Sequence, residues 1–166
     1  VFIANYNCPG QLVITGVRSA VEEAAEALRA SGARRTVMLN VSGPFHSPLL
    51  AGAAEELERE LLQTPFSDPD IPYITNVTAQ PVTEKEPIRA LLARQICAPV
   101  RWMQSMQRML ADGVDTFVEI GAGKTLAGFL RKLDRTVNVY PVTTWEEAQI
   151  VIAKLEARDK KLWRSA

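Results

Sequence analysis

His46 is the only histidine among the 166 residues and the side chain best suited to proton chemistry in this sequence. Histidine is the one residue whose unperturbed pKa lies near neutral pH, so it can accept and return a proton under physiological conditions. A Gly-Pro pair precedes His46 and Pro48 follows it, and these residues stiffen the loop that carries the imidazole. A lone loop histidine is more often structural than catalytic. The remaining residues therefore decide between the two interpretations.

No nucleophile in this sequence has a pattern that would pair it with His46. A serine on a strand-to-helix nucleophile elbow shows Gly-x-Ser-x-Gly, and no serine of the chain has these neighbours. Cys8 lies in a predicted turn and Cys97 ends a predicted apolar helix. Neither cysteine has a base nearby in sequence, so both are interpreted as structural. If His46 is catalytic, we expect its nucleophile to lie outside these residues.

A glycine-rich segment, Gly121-Ala122-Gly123-Lys124-Thr125, lies between a predicted strand and a predicted helix. A phosphate-binding loop would need a glycine five residues before Gly123, where Val118 stands, and Glu119 would bring negative charge into the anion site. A dinucleotide fingerprint would need its third glycine where Leu126 stands. We therefore interpret the segment as a turn that lets a strand and a helix pack closely.

The composition excludes several classes of function. The 19 basic and 19 acidic residues balance, so neither nucleic acid nor an anionic membrane is an expected partner. No apolar run approaches the ~20 residues that span a bilayer, and no secretory signal is present. One histidine and two cysteines without ligand spacing predict no metal site and no disulfide framework. A cytoplasmic setting is the simplest expectation.

The predicted elements describe an α/β protein. Two short strands around Asn7-Cys8-Pro9-Gly10, a helix over Ser19 to Ala30 and a strand over Arg35 to Val41 give the order β-β-α-β. This order is the latter part of a ferredoxin-like β-α-β-β-α-β unit. The chain begins at Val1, inside a strand, so we expect the N-terminal part of a larger protein to be absent. Downstream, strands and helices alternate, which predicts a parallel sheet.

Four segments in order carry recognisable motifs. They are Asn5-Tyr6-Asn7-Cys8-Pro9-Gly10-Gln11, Ser42-Gly43-Pro44-Phe45-His46-Ser47-Pro48-Leu49, Gln95-Ile96-Cys97-Ala98-Pro99-Val100-Arg101-Trp102 and Glu119-Ile120-Gly121-Ala122-Gly123-Lys124. Together they resemble, over nearly the whole chain, the C-terminal half of the bacterial malonyl-CoA:acyl carrier protein transacylase family. Acyltransferase domains of polyketide synthases share this family. Cys8 and Ala122 stand where Ser and Pro are common.

The resemblance implies a role for each matched residue. In the family, a serine in Gly-His-Ser-Leu-Gly attacks malonyl-CoA, and a histidine matched by His46 takes its proton. The same histidine later activates the phosphopantetheine thiol of the carrier protein, so transfer is ping-pong. Gln95 matches the residue whose backbone carbonyl orients the imidazole, as Asp does in a Ser-His-Asp triad. Phe45 matches a position tied to substrate selectivity, and Asn5 and Asn7 match positions that line the active site.

The implied fold is a ferredoxin-like small subdomain over residues 1–42 and the C-terminal part of an α/β-hydrolase-like core over residues 43–166. The implied function is malonyl transfer from malonyl-CoA to acyl carrier protein in fatty-acid biosynthesis, without a cofactor of its own. The serine, the arginine that pairs with the malonyl carboxylate and the oxyanion-hole glutamine would precede Val1. We therefore expect the isolated chain to be inactive and the missing N-terminal segment to be a partner.

Two alternatives stay open. One is an acyltransferase domain of a polyketide synthase, which performs the same chemistry in another setting. The other is a non-catalytic fragment that binds a carrier protein and lacks the nucleophile. His46, Phe45 and Gln95 argue against the second alternative, because a docking module needs no base. Several basic residues could meet an acidic carrier protein, but a solvated helix face explains them equally well. They are Arg18, Lys124, Arg131, Lys132 and Arg135.

Overall fold

A computed structural model of the chain describes residues 1–163, which form a mixed α/β structure. The strands are β1 Phe2–Cys8, β2 Gln11–Thr15, β3 Tyr73–Ile74, β4 Pro81–Val82, β5 Thr116–Ile120 and β6 Asn138–Val142. The helices are α1 Arg18–Ala30, α2 Ala51–Leu62, α3 Ile88–Gln95, α4 Trp102–Ala111, α5 Thr125–Leu133 and α6 Trp145–Trp163. The chain divides into two compact units, Val1–Arg108 and Met109–Ala166.

The first unit opens with the predicted hairpin, which is confirmed. β1 and β2 pair antiparallel, and Gly10 in the turn between them has φ 76°, a left-handed conformation that glycine adopts without steric cost. β1 also pairs with Val100 on its other side. The Val100 N–H donates to the carbonyl of Ala4 at 2.7 Å, and the Tyr6 N–H donates to the carbonyl of Val100 at 2.9 Å. This bridge fixes the segment around Val100 alongside β1.

The strand predicted over Arg35 to Val41 is wrong. These residues pair with no strand in the described part of the chain, and the apolar side chains of Val37, Leu39 and Val41 are exposed. Apolar and β-branched residues favour a strand mainly through packing against neighbouring strands, and here no neighbour is present to supply it. The predicted β-β-α-β order is therefore β-β-α in the structure.

The histidine loop continues directly into two packed helices. Pro48 begins a short 3-10 turn, Pro48–Leu50, which leads into α2. α2 packs on α3, and the Arg89 Nε–H donates to the carbonyl of Leu61 at 2.7 Å. That carbonyl belongs to the last turn of α2, where the oxygens have no intrahelical partner. The contact fixes α3 against the helix that follows the loop.

The second unit contains the predicted parallel pairing, which is confirmed. β5 and β6 run parallel, with Thr116 opposite Asn138 and Ile120 opposite Val142. α6 packs on β6 and buries Val151. Within residues 1–163, no helix is both long and apolar enough to cross a membrane.

The glycine-rich segment joins β5 to α5 as a capped turn. Gly123 has φ 91°, which a residue with a side chain adopts only with strain. The Glu119 carboxylate accepts the backbone N–H of Leu126 at 3.0 Å and that of Ala127 at 2.8 Å. These N–H groups belong to the first turn of α5 and have no acceptor within the helix. A carboxylate thus occupies the position that a phosphate would need, in agreement with the interpretation of the segment as a turn.

Three exposed carboxyl groups of the second unit have a pKa below the ordinary value. In each case the first cause is a hydrogen bond from a neighbouring side chain: Arg158 to Asp115, Thr136 to Asp134 and Thr143 to Glu147. A lowered pKa in the folded state favours folding at a pH above the ordinary value. This contribution disappears as the pH falls through the lowered pKa.

Replacing Glu119 with alanine should lower the free energy of unfolding by about 1–2 kcal/mol, because two N–H groups of α5 lose their acceptor. Urea denaturation followed by circular dichroism measures the change. Glu22→Ala is the control, since Glu22 is exposed and its pairing with Arg18 at 3.6 Å is a surface contact. Equal losses in the two variants would contradict the capping role of Glu119.

Candidate active site

The loop that carries His46 is fixed by its own hydrogen bonds. Ser47 is fully buried, and its hydroxyl donates to the carbonyl of Pro44 at 2.6 Å. The Leu50 N–H donates to the carbonyl of Ser47 at 3.1 Å and closes the turn that follows. His46 itself has φ 59°, a left-handed conformation that is uncommon for a residue with a side chain. Such strain persists only where surrounding contacts determine the backbone, and it is frequent at functional sites.

The imidazole is held by the C-terminal end of α3. Nδ1 of His46 lies 3.1 Å from the backbone oxygen of Gln95, although 49 positions separate the two residues. In a continuing helix, the Gln95 oxygen would accept the N–H of residue 99. Residue 99 is proline and has no N–H to donate. The sequence therefore leaves this carbonyl available for the histidine.

The hydrogen bond determines which imidazole nitrogen can act as a base. A carbonyl oxygen only accepts hydrogen bonds, so Nδ1 of His46 must carry the proton in this contact. The neutral imidazole then has its lone pair on Nε2, which is free to take a proton from another group.

A cavity of about 320 Å³ opens beside the imidazole. It is lined by Phe2, Ile3, Tyr6, His46, Pro48, Cys97 and Pro99. Its volume is at the lower end of the range for small-molecule sites. Among the described residues that line it, none is a serine and none is cationic. Residues 1–163 also contain no group of three or more His, Cys, Asp or Glu side chains that could hold a metal ion.

Cys97 lines the same cavity as His46, although no base lies near it in sequence. The end of α3 causes this, since Cys97 follows Gln95 by two positions. The spacing of Gln95 and Pro99 around it was the available signal. The interpretation of Cys97 as a structural residue stays a prediction. Cys8 differs: it is 2% exposed, and its thiol donates to the side chain of Gln11 at 3.8 Å.

The other predicted site residues do not line this cavity. Phe45 precedes His46 in the loop and is 49% exposed. Asn5 and Asn7 lie in β1 on either side of Tyr6, which does line the cavity. His46 and Gln95 are in contact, whereas Phe45, Asn5 and Asn7 are not among the residues that line the cavity. Their roles in the site stay predictions.

A family model for the acyl transferase domain matches residues 1–154 of the sequence. The chain therefore belongs to the acyl transferase family, as the four motifs indicate.

Comparison with individual relatives shows which members of the family the chain resembles. The chain is 43% identical over 154 residues to the malonyl CoA-acyl carrier protein transacylase of Bacillus subtilis, covering 93% of this chain and 49% of that protein. It is similar to the acyl-carrier-protein-S-malonyltransferase structure from Bartonella henselae, with a TM-score of 0.89, 40% identity and coverage of 93% and 49%. A malonyl-transacylase in complex with a type II polyketide acyl carrier protein gives a TM-score of 0.84, 36% identity and coverage of 87% and 47%. The chain spans about half the length of these relatives.

With limiting iodoacetamide, the folded chain should be alkylated at Cys97 at least about tenfold faster than at Cys8. Cys8 is buried and reacts only when the surrounding structure opens, and each ~1.4 kcal/mol of opening free energy gives a factor of ten. Peptide mass spectrometry measures the ratio. Because His46 is the only histidine, its imidazole resonances are resolved and should shift on labelling. Cys97→Ser is the control, and unchanged resonances in the labelled chain would contradict the shared cavity.

Proposed function

We propose that this chain supplies the general base of a malonyl-CoA:acyl carrier protein transacylase of cytoplasmic fatty-acid biosynthesis. The observation that carries the proposal is the hydrogen bond from Nδ1 of His46 to the Gln95 carbonyl, which leaves Nε2 as a base beside a cavity. The substrate class comes from the relatives, a malonyl CoA-acyl carrier protein transacylase and an acyl-carrier-protein-S-malonyltransferase. Malonyl-CoA and the phosphopantetheine arm of an acyl carrier protein are the proposed substrates, and no cofactor or metal is needed.

The proposed reaction has two half-reactions. In the first, a serine from a segment upstream of Val1 attacks the malonyl thioester while Nε2 of His46 accepts its proton. The imidazolium returns the proton to the departing CoA thiolate. In the second, Nε2 accepts the proton of the carrier-protein thiol, and the resulting thiolate attacks the acyl-serine. The imidazolium then returns the proton to the departing serine oxygen, which regenerates the serine hydroxyl and the neutral imidazole. The Gln95 carbonyl keeps the imidazole in one tautomer throughout. It carries only a partial charge, so it stabilises the imidazolium less than a carboxylate would.

The proposal also assigns roles to the other predicted site residues and a fold to each part of the chain. Phe45 limits the space beside the α-carbon of the acyl group, and Asn5 and Asn7 line the assembled site. Residues 1–42 belong to a ferredoxin-like subdomain, and residues 43–166 belong to a hydrolase-like core. A ferredoxin-like unit needs residues 36–41 as a strand, and in the described part of the chain these residues pair with no strand.

A polyketide pathway is the second candidate setting. One observation favours it, namely the similarity to a malonyl-transacylase bound to a polyketide carrier protein. The chemistry and the role of His46 are the same in both settings. Comparing transfer rates to a fatty-acid carrier protein and to a polyketide carrier protein distinguishes them.

A chimera that joins the N-terminal half of the Bacillus subtilis relative to this chain tests the function. The chimera should form a labelled acyl-enzyme with radioactive malonyl-CoA and pass the label to acyl carrier protein, whereas this chain alone should not become labelled. His46→Ala in the chimera should slow transfer by at least about 100-fold, the usual contribution of general-base catalysis. Glu22→Gln, on an exposed helix face, is the control and should leave transfer unchanged.

Two outcomes would contradict the proposed function. One is a folded chimera that transfers no malonyl group, with folding checked by circular dichroism. The other is a covalent acyl adduct on the isolated chain, which would place a nucleophile within these residues. A contaminating second polypeptide could supply a serine and become labelled in place of this chain. Intact mass spectrometry of the purified chain shows whether such a polypeptide is present.

Phe45→Ala in the chimera should raise the kcat/KM for methylmalonyl-CoA relative to malonyl-CoA by about 10- to 100-fold. The reason is steric, because a pocket that excludes one methyl group discriminates by about 1–3 kcal/mol. Competition between the two thioesters, followed by mass spectrometry of the acyl carrier protein, measures the ratio. Phe66→Ala is the matched control, since the Phe66 ring contacts the guanidinium of Arg89. The same ratio in both variants would exclude Phe45 as a selectivity residue.

A further inference from the structure

The carbonyl of Gln95 lies at a helix end, where the residues that follow could supply a competing N–H. An oxygen in the last turn of a helix can accept the N–H of a residue three, four or five positions further along the chain. For Gln95 these residues are Ala98, Pro99 and Val100. The imidazole of His46 lies 3.1 Å from the same oxygen. Each of the three positions therefore bears on whether the histidine keeps its acceptor.

Two of the three residues have N–H groups that are bound elsewhere. The Ala98 N–H donates to the carbonyl of Arg94 at 3.0 Å. The Val100 N–H donates to the carbonyl of Ala4 at 2.7 Å, in the bridge to β1. Within residues 1–163, no backbone N–H donates to the Gln95 oxygen. Position 99 is therefore the remaining place from which a competing N–H could come.

Proline at position 99 has two effects that can be separated. Its ring disfavours a helical backbone at the preceding residue, and this effect helps to end α3. Its nitrogen carries no hydrogen, and this effect leaves the Gln95 oxygen without the donor that a continuing helix would provide. The first effect concerns the fold and the second concerns the histidine. Only the second depends on the N–H and not on the ring.

The same spacing occurs at the end of α2. Pro65 stands four residues after Leu61, and the carbonyl of Leu61 accepts the Nε–H of Arg89 at 2.7 Å. The Leu61 oxygen also accepts the N–H of Thr64 at 3.2 Å. In both helices a side chain that is distant in sequence binds a carbonyl for which proline supplies no donor. Pro65 therefore offers a matched position whose acceptor binds an arginine and not His46.

We propose that Pro99 is a positioning residue for the proposed base, which acts by withholding an N–H from the carbonyl that orients His46. The inference rests on the proposed function in taking His46 as the base. With an N–H at position 99, the backbone and Nδ1 of His46 would share one oxygen. A neutral imidazole that loses its acceptor at Nδ1 can carry its proton on Nε2 instead. Nε2 then has no lone pair with which to take a proton from the nucleophile.

Nitrogen NMR of the imidazole ring tests this role in the chain alone, at alkaline pH, where the imidazole is neutral. Pro99→Ala should lower the ratio of the Nδ1–H to the Nε2–H tautomer by about 2- to 10-fold, the factor that corresponds to one hydrogen bond of ordinary net strength. Pro65→Ala is the matched control and should leave the ratio unchanged, because the oxygen that it affects binds Arg89. His46 is the only histidine, so its ring signals need no assignment.

A second variant separates the missing N–H from the proline ring. Lactic acid at position 99 has the methyl side chain of alanine and an ester oxygen in place of the alanine N–H. With this ester the tautomer ratio should return to that of the unchanged chain, although the ring is absent. Pro99 lines the cavity, and a smaller side chain alters the lining equally in the alanine and ester variants. A difference between these two variants therefore reports the N–H alone.

The chimera with the N-terminal half of the Bacillus subtilis relative gives the kinetic readout. Relative to the ester variant, Pro99→Ala should lower kcat for malonyl transfer in proportion to the fraction of the Nδ1–H tautomer that is lost. KM for malonyl-CoA should not change between the two, because only the proton transfer depends on the tautomer. A purely structural role for Pro99 would change both variants alike.

Several outcomes would overturn the proposal. One is a folded Pro99→Ala chain with an unchanged tautomer ratio, and another is an ester variant that behaves like the alanine variant. An ester variant that does not fold would show that the chain requires the ring. An alanine variant that unfolds while the ester variant folds would assign the effect of the N–H to the fold and not to the histidine. The expected tautomer change in a chain whose folded chimera transfers no malonyl group would support the positioning role and contradict only the proposed function.

Discussion

The backbone oxygen of Gln95 is the atom on which the candidate site depends. Proline at position 99 removes the N–H that would otherwise bind this oxygen, and the His46 imidazole takes its place. If a residue with an N–H stood at position 99, helix and histidine would compete for one acceptor. The bridge between β1 and Val100 holds the segment after Pro99 in place, and the Ser47 hydroxyl holds the loop. Both contacts therefore help to position the two groups that form this hydrogen bond.

The stability of several elements also depends on neighbouring segments that the described residues do not supply. The buried apolar side chains include several alanines, whereas larger residues such as Leu39, Ile71 and Ile120 are exposed. Burial of large apolar side chains provides most of the free energy that favours folding. A parallel strand pair and an extended apolar run are elements that gain stability chiefly from what packs on them. The half-length match to the relatives is consistent with that property of the surface.

Much of the fold could be predicted from the sequence where the pattern involves residues that are close together in the chain. The Pro9-Gly10 turn, the parallel pairing of β5 with β6 and the exclusion of a phosphate loop follow from turn residues, alternation and spacing. The strand over Arg35 to Val41 could not be judged, because strand formation depends on a neighbour and propensity alone does not reveal one. The position of Cys97 beside His46 could not be predicted for a related reason. The two residues are far apart in sequence, and the cavity that both line forms only when α3 ends beside the loop. The contact between His46 and Gln95 was expected from the family resemblance and from no pattern of spacing.

The 49-residue separation of His46 and Gln95 also has a consequence for kinetics. Closing a long loop costs conformational entropy before any contact compensates for it, so long-range contacts tend to form after local helices and turns. The left-handed backbone of His46 adds a cost that is tolerated only once the surrounding contacts are complete. Fraying of the last turn of α3 would therefore release the imidazole while the rest of the unit stays folded. Heating should then release the imidazole before it unfolds the unit, and the tautomer of this one histidine would report the release.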